Sequence, residues 1–400
     1  MNGAERGIAF ATPEPPLPFG RDTAARTVFG LIRELAARGN PVRLFTLASR
    51  PPEVELARGL LKDHLAAPLS WYPAPKRSWL DRKWRGVWQP WASSIPDQLK
   101  KDLAHLLKQE RFLLQVELVI PMGWLMKQSP RAILSVHHLQ RIDYERAPFS
   151  SWSAWKSIQQ AWRAERVVLK RYRWIRVTTP RLAEAVRALN PKARVAVVPI
   201  TLDLSQYPFL PTGPPAPTVP DRPVIGLLGT MSWLPTRSAA VRLVKRIWPL
   251  IKARVPEAQL MLGGWSASQW LGPYVTGQKD VVLLDDLPHP RSFFERLTVN
   301  VYPTPRGSGM KVKVLEAMAY GVPVVTTPDG VEGLMVQSGV HAVVANRDEE
   351  LADAVVELLQ QPSRREAMRQ AARRLLEASC CPSVVVDRLL AFYQEVGNSS

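Results

Sequence analysis

The stretch GSGMKVKVLEAMAYGVPVV, residues 307–325, sets Gly307, Ser308 and Gly309 ahead of Met310, Lys311, Lys313 and Glu316. Its spacing predicts a helix over 310–320 with Met310, Val314, Leu315, Met318 and Ala319 on an apolar flank. Lys313, Glu316 and Tyr320 then share the opposite flank. Glycines let backbone approach a ligand closely, and a helix start offers N–H donors and partial positive charge. With Lys311 or Lys313 adding a full charge, the segment could hold a diphosphate without a metal. Glu316, one turn in, could accept hydrogen bonds from sugar hydroxyls, so that phosphate and ribose lie side by side. The alternative at this point is a capped surface helix with an i, i+3 Lys–Glu pair worth a few tenths of a kcal/mol.

Other chemistry-bearing residues are sparser. His137 and His138 are neighbours, and neighbours on a strand point to opposite faces, so they lend no support to a metal site. Cys380 and Cys381, also adjacent, cannot close a long loop and read as reduced thiols. Between Trp71 and Arg111, Trp79, Trp84, Trp88 and Trp91 interleave with lysines and arginines. That mixture suits an anionic membrane surface, and equally stacking on single-stranded nucleic acid or a solvated flap with inward-packed indoles.

These residues must be positioned by elements, and strand and helix signals alternate from the start. GIAFAT, then TAARTVFGLIRELAARG closed by Gly39, then PVRLFTLAS read as strand, helix, strand. After a less regular basic insertion the rhythm resumes with RAILSVHH, a helix through SWSAWKSIQQAWRAERVVLKRY, WIRVTT, PRLAEAVRALN and RVAVVPIT. Residues 202–223 are too proline-rich for helix or sheet. The pattern restarts with VIGLLGT, a helix around RSAAVRLVKRIWPLIKARV, AQLMLGG, VVLLDD, VNVYPT, the phosphate-site candidate and VPVVTT. Three helices follow, starting near Asp348, Ser363 and Pro382. The order predicts an α/β chain of two doubly wound, Rossmann-like domains with a cleft between them, ligands lying at the carboxyl ends of the strands. The expected division is 1–205, a linker at 206–222 and 223–382, with a last helix at 383–400 packing back on the first domain.

A chain of 400 residues is long for one core, and 46% hydrophobic with 22% charged residues is an ordinary globular composition. The net charge of +18 calls for a polyanionic partner: nucleic acid, an acidic membrane surface or a phosphorylated substrate. The opening twenty residues lack the features of a secretory signal. FLLQVELVIPMGWLM, broken by Glu117 and Pro121, is too short to span a bilayer. The expectation is a cytoplasmic protein, soluble or held at the inner membrane face.

Several segments together resemble the family 4 glycosyltransferases of the GT-B fold. GTMSWLPTRSAA is similar to that family's turn after the first strand of the C-terminal domain, and GSGMKVKVLEAMAYGVPVVTTPDGVEGL to its donor-site signature. VAVVPITLDLSQY is similar to its entry into the interdomain linker, PEPPLPFGRDTAAR to its first glycine-bearing loop, and ILSVHHLQRIDYER to the strand end that carries a cleft histidine.

The resemblance implies a nucleoside-diphosphate sugar as donor, transfer with retention of anomeric configuration, and neither a cofactor nor an obligatory metal. It implies that Glu316 binds the ribose, that the helix start with Lys313 holds the diphosphate, and that His137 lies near the transferred sugar; these three form the catalytic set. The substrate-binding set comprises Gly229, Thr230 and Arg237, with Gly307, Ser308, Gly309, Met310 and Lys311. Gly20 and Arg21 contact an acceptor, or only make a turn. Ser308 stands where many members carry a glutamate, Thr230 where many carry an arginine, and Gln140 where related sequences often show a glutamate. The expected reaction is sugar transfer to a glycan or lipid-linked acceptor at the cytoplasmic membrane face, with residues 71–111 touching anionic lipid. A nucleic-acid-binding protein and a non-catalytic nucleotide-binding relative remain as alternatives. Oligomeric state is not legible.

Overall fold

The computed structural model describes residues 7–20, 23–48, 50–73, 75, 91–109, 111–126, 129–145, 152–210, 222–285, 287 and 289–399. The chain divides into two compact units, one formed by 1–203 with 380–400 and the other by 204–379.

The first unit carries a seven-stranded sheet: β1 Gly7–Thr12, β2 Val42–Ala48, β3 Ser70–Pro73, β4 Phe112–Glu117, β5 Ala132–Val136, β6 Trp174–Val177 and β7 Arg194–Val197. Its order is β3-β2-β1-β4-β5-β6-β7, every pairing parallel. Chain order reverses between β1 and β4. A sheet covered on both faces needs strands that are apolar on both sides, and β1 is buried at all six positions. One face packs on the Thr23–Ala37 and Pro51–Leu61 helices through Leu31, Ile32, Val54 and Ala57. The same apolar cluster takes in Val385, Leu389, Phe392 and Val396 of the Pro382–Asn398 helix. The other face carries the Asp97–Lys108, Trp152–Leu169 and Pro180–Leu189 helices through Leu99, Leu103, Ala164, Val168 and Leu182.

The second unit has six strands: β8 Val224–Leu228, β9 Gln259–Gly263, β10 Val281–Leu284, β11 Val299–Tyr302, β12 Val324–Thr326 and β13 Val343–Val344. The order β10-β9-β8-β11-β12-β13 is again all parallel and reverses between β8 and β11.

Several elements differ from expectation. The stretch read as an irregular basic insertion holds the Pro51–Leu61 helix, β3 and the Asp97–Lys108 helix. FLLQVE, read only as an apolar run, is β4, the strand beside β1. The helix expected from Arg237 begins at Leu234, with Pro235 in its first turn, and passes through a π segment at Leu243–Ile247. The helix expected over 310–320 is Val312–Tyr320, so Met310 and Lys311 precede it. Among the described residues no helix is long and apolar enough to cross a membrane.

Candidate functional site

In the second unit the loops leaving β8 and β11 emerge side by side at the sheet's reversal, because the two strands are parallel neighbours. Each loop feeds a helix, Leu234–Arg242 after β8 and Val312–Tyr320 after β11. A hydrogen bond of 2.8 Å between Thr236 Oγ1 and Tyr302 Oη ties the first helix to the end of β11. Gly229 allows this approach, since a Cβ there would lie 2.5 Å from Thr236 Cγ2. Thr230, half-buried, accepts the Trp233 amide on its carbonyl at 3.1 Å. Gly309, at φ +72°, turns the second loop into its helix through backbone that few side chains tolerate. A Cβ on Gly307 would meet Lys311 Cε at 3.0 Å and Pro235 Cβ at 3.6 Å, which places this loop against the first turn of the Leu234–Arg242 helix. Ser308 and Met310 are buried.

The polar flank expected on the Val312–Tyr320 helix is not solvated. Glu316 and Tyr320 are both 0% exposed, and Lys313 alone of the helix is not buried. Lys313 Nζ donates to Glu316 Oε2 at 2.7 Å, and Tyr207 Oη donates to Oε1 at 3.3 Å. The i, i+3 pair therefore exists, but on a buried carboxylate, where breaking it costs far more than on a surface. Lys311 Nζ donates to the Gly309 carbonyl at 2.5 Å and lies 3.9 Å from Glu332 Oε2. Both lysines thus face carboxylates. Arg237 differs: its guanidinium stacks 4.0 Å over the Trp270 ring, and its Nη1 is buried with no hydrogen-bond partner. It leaves the first turn of the Leu234–Arg242 helix, where backbone amides and the helix dipole already favour an anion.

In the first unit, His137 follows directly after β5 and is 4% exposed. Its Nε2 is 2.6 Å from Glu117 Oε2, at the end of β4, and 3.3 Å from Ser135 Oγ. Glu117, Ser135 and Arg176 occupy matched register positions on β4, β5 and β6, and all three are 0% exposed. Arg176 donates from Nη1 to Ser135 Oγ at 3.3 Å and from Nη2 to the Pro199 carbonyl at 2.7 Å. Gln115 Nε2 donates to Glu117 Oε1 at 2.5 Å, and Tyr393 Oη, from the C-terminal helix, donates to Gln115 Oε1 at 2.5 Å. Burial pushes the Glu117 carboxyl up, but the hydrogen bond and charge of His137, the charge of Arg176 and the Gln115 amide outweigh it and hold the carboxyl below its usual range. With Glu117 ionised, Nε2 of His137 must carry the hydrogen in that bond. Nδ1, buried and without a partner, is the other ring nitrogen.

Sequence spacing did not single out this row. The available signal was Gln115 and Glu117 at i, i+2 inside an apolar run, which puts two polar groups on one side of a strand. Gly20 is buried in the loop after β1, where its amide donates to the Leu17 carbonyl at 3.2 Å and its carbonyl accepts Arg26 Nε at 2.5 Å. This is a turn. Arg21, and Trp79, Trp84 and Trp88 of the basic insertion, lie outside the described residues, whereas Trp71 and Trp91 are exposed. Gln140 heads the short Gln140–Asp143 helix, where its amide donates to Glu165 Oε1 at 2.6 Å. Among the described residues no three His, Cys, Asp or Glu side chains are grouped to hold a metal ion. Cys380 is buried and Cys381 half-buried, and the two are not joined in a disulfide.

Residues 22–201 match the family model described as a glycosyl transferase 4-like domain, and residues 222–361 the model described as glycosyl transferases group 1. None of the curated proteins matches the sequence. Among solved structures, sucrose-phosphate synthase from Thermosynechococcus elongatus superposes with a TM-score of 0.68 at 18% identity, over 99% of this chain and 100% of its own. HepE of Anabaena, solved in complex with UDP and glucose, gives 0.64 at 13% identity over 97% and 99%. A variant of S. aureus TarM, in complex with fondaparinux, alpha-GlcNAc-glycerol and UDP, gives 0.66 at 9% identity over 97% and 99%.

Proposed function

The chain belongs to the glycosyltransferases and has their two-domain GT-B fold, and from that premise we propose that it is a retaining family 4 enzyme using a nucleoside-diphosphate sugar. One observation carries the donor assignment: at the β8/β11 reversal, Arg237 presents a buried, unpartnered guanidinium N–H from a helix start beside the Gly309 turn. HepE in complex with UDP-glucose supports the same donor class.

On this reading the two helix starts and Arg237 receive the diphosphate. Lys313 swings from Glu316 to a phosphate oxygen, which leaves the Glu316 carboxylate to accept hydrogen bonds from the ribose hydroxyls. As the glycosidic bond breaks, negative charge grows on the leaving diphosphate, and fixed donors stabilise that growing charge without reorganising. Cationic side chains and amides do this work without an obligatory metal or cofactor. His137, held in place through Nε2 by Glu117, turns Nδ1 to a sugar hydroxyl, so Glu117 is a positioning residue. Thr230 and Ser308 contribute to the substrate walls. The acceptor is a glycan or a lipid-linked sugar at the cytoplasmic membrane face.

A thermal-shift screen of nucleoside diphosphates and their sugar conjugates tests the donor. A ligand present at about 100 times its Kd adds ~2.7 kcal/mol to the stability of the native state. The expected result is a rise in Tm with one nucleoside diphosphate, weakened in Arg237→Gln by roughly tenfold or more in Kd, as for a lost hydrogen bond to a charged group. No shift with any of them, together with a shift on oligonucleotides, defeats the assignment. Product NMR reads the anomeric outcome, and inversion would remove the retaining claim.

A further inference from the structure

The fully buried residues of the Trp152–Leu169 helix all lie in its second half. Its buried residues are Ala161, Ala164, Glu165, Val168 and Leu169, and no side chain from 152 to 160 is buried. The first half is exposed at Trp152, Ser153, Lys156 and Ser157 and half-buried at Ala154, Trp155 and 158–160, and it carries aromatic surface. Trp152 is 74% exposed and stacks on Trp155 with ring centroids 4.5 Å apart and planes 19° apart. Trp152, Lys156, Arg163 and Arg166 recur at i, i+4, i+11 and i+14, which is one face of a helix, and all four are exposed. The helix contains a single acidic residue, Glu165, and it points inward onto the Gln140 and Arg141 amides. The exposed face is thus uniformly basic and ends in a tryptophan pair. It lies on the same side of the sheet as the Asp97–Lys108 helix, at the end of the basic insertion.

We propose that this face is a docking surface for an anionic lipid bilayer, with Trp152 and Trp155 entering the headgroup zone and Lys156, Arg163 and Arg166 lying against lipid phosphates. Indoles favour the membrane interface, and each Lys or Arg near an anionic leaflet contributes about fivefold to binding. A net charge of +18 draws the chain to the same surface over longer range. The inference rests on the membrane-face reading above and names its contact residues. It is read without donor or acceptor, so its failure is separate from failure of the transfer assignment.

Flotation of the full chain with vesicles of equal parts phosphatidylglycerol and phosphatidylcholine, and of phosphatidylcholine alone, provides the test. Binding is expected only with phosphatidylglycerol, falling as salt rises. Lys156→Gln with Arg163→Gln should weaken it by about thirtyfold, and Trp152→Ser with Trp155→Ser by about tenfold or more, with Tm unchanged in both. Should the double tryptophan variant melt early, Trp152→Ser alone, at the most exposed ring, carries the measurement. Absence of vesicle binding by the wild type overturns the proposal, as does equal binding by wild type and variants. Binding of a soluble anionic oligosaccharide through the same residues, with none to vesicles, replaces the lipid by a glycan and overturns it too.

Discussion

Glu117 has no exposed surface, yet it is the hinge of the first unit's polar row, bonded to His137 and Gln115 and balanced by the charge of Arg176. Replacing one member of a buried ion pair leaves its partner uncompensated, typically at 3–5 kcal/mol, so Glu117→Gln should lower stability by roughly 3 kcal/mol at neutral pH. The sign of the pH dependence follows from a carboxyl held below its unfolded value. Its contribution is complete above the unfolded pKa and disappears as pH falls through the folded one. Urea midpoints should therefore show a constant gap between wild type and Glu117→Gln from pH 7 down to about 5, closing below about 4. A gap that persists at low pH would mean that packing, not charge, sets Glu117's worth. Lys313 and Glu316 repeat the logic in the second unit. Because Glu316 is wholly buried, Lys313→Ala would strand a carboxylate, so Glu316→Gln is the cleaner probe of nucleotide binding.

At the level of elements, the Gln140–Asp143 helix, four residues long, has its first two amides capped by one side chain. Glu165 of the Trp152–Leu169 helix accepts the Gln140 amide at 2.6 Å and the Arg141 amide at 3.2 Å. Burial drives its carboxyl up to about 7, with those amides pulling back and Asp143 adding to the rise. Between about pH 4.5 and 7 the folded chain keeps a proton that the unfolded chain releases, so this group lowers stability as pH rises through that window. The total loss is on the order of 3 kcal/mol. Glu165→Gln keeps an acceptor and does not titrate, so the wild-type curve should fall relative to the variant's between pH 5 and 8; parallel curves would remove Glu165 as the cause.

The same scale shows what was readable beforehand. Strand–helix alternation was legible wherever a helix had one apolar face, as in TAARTVFGLIRELAA, and wherever proline or glycine marked an end. β4 was not, since a strand buried on both faces has no period and its Gln115 and Glu117 read as interruptions. The Lys313–Glu316 spacing was legible as a pair, but its burial was not. A helix packed on nearly every side looks amphipathic from its own residues when the polar ones are satisfied by Tyr207 from elsewhere in the chain.

For the molecule as a whole, the path of the chain matters most. Residues 204–379 are contiguous, whereas the first unit closes only when 380–400 rejoins 1–203. The Pro382–Asn398 helix covers Ile8, Phe10, Leu113 and Trp174 of the first sheet, and Arg38 binds both Asp387 and the Ser383 carbonyl. Residues 204–379 alone should therefore melt cooperatively and keep the nucleoside-diphosphate response. Residues 1–203 alone should bind a dye for exposed apolar surface and lose that signal when the 380–400 peptide is added. A peptide without effect would show that the helix is dispensable to that core.

That return of the chain also sets an order of events at the ribosome. Domains fold as their residues emerge, and the segment begun first lacks its closing helix until Cys380 and everything before it have been made. The later-made middle portion can settle while the earlier one still waits, so a newborn molecule carries an unfinished apolar flank through most of its synthesis, which is the interval in which a chaperone would meet it.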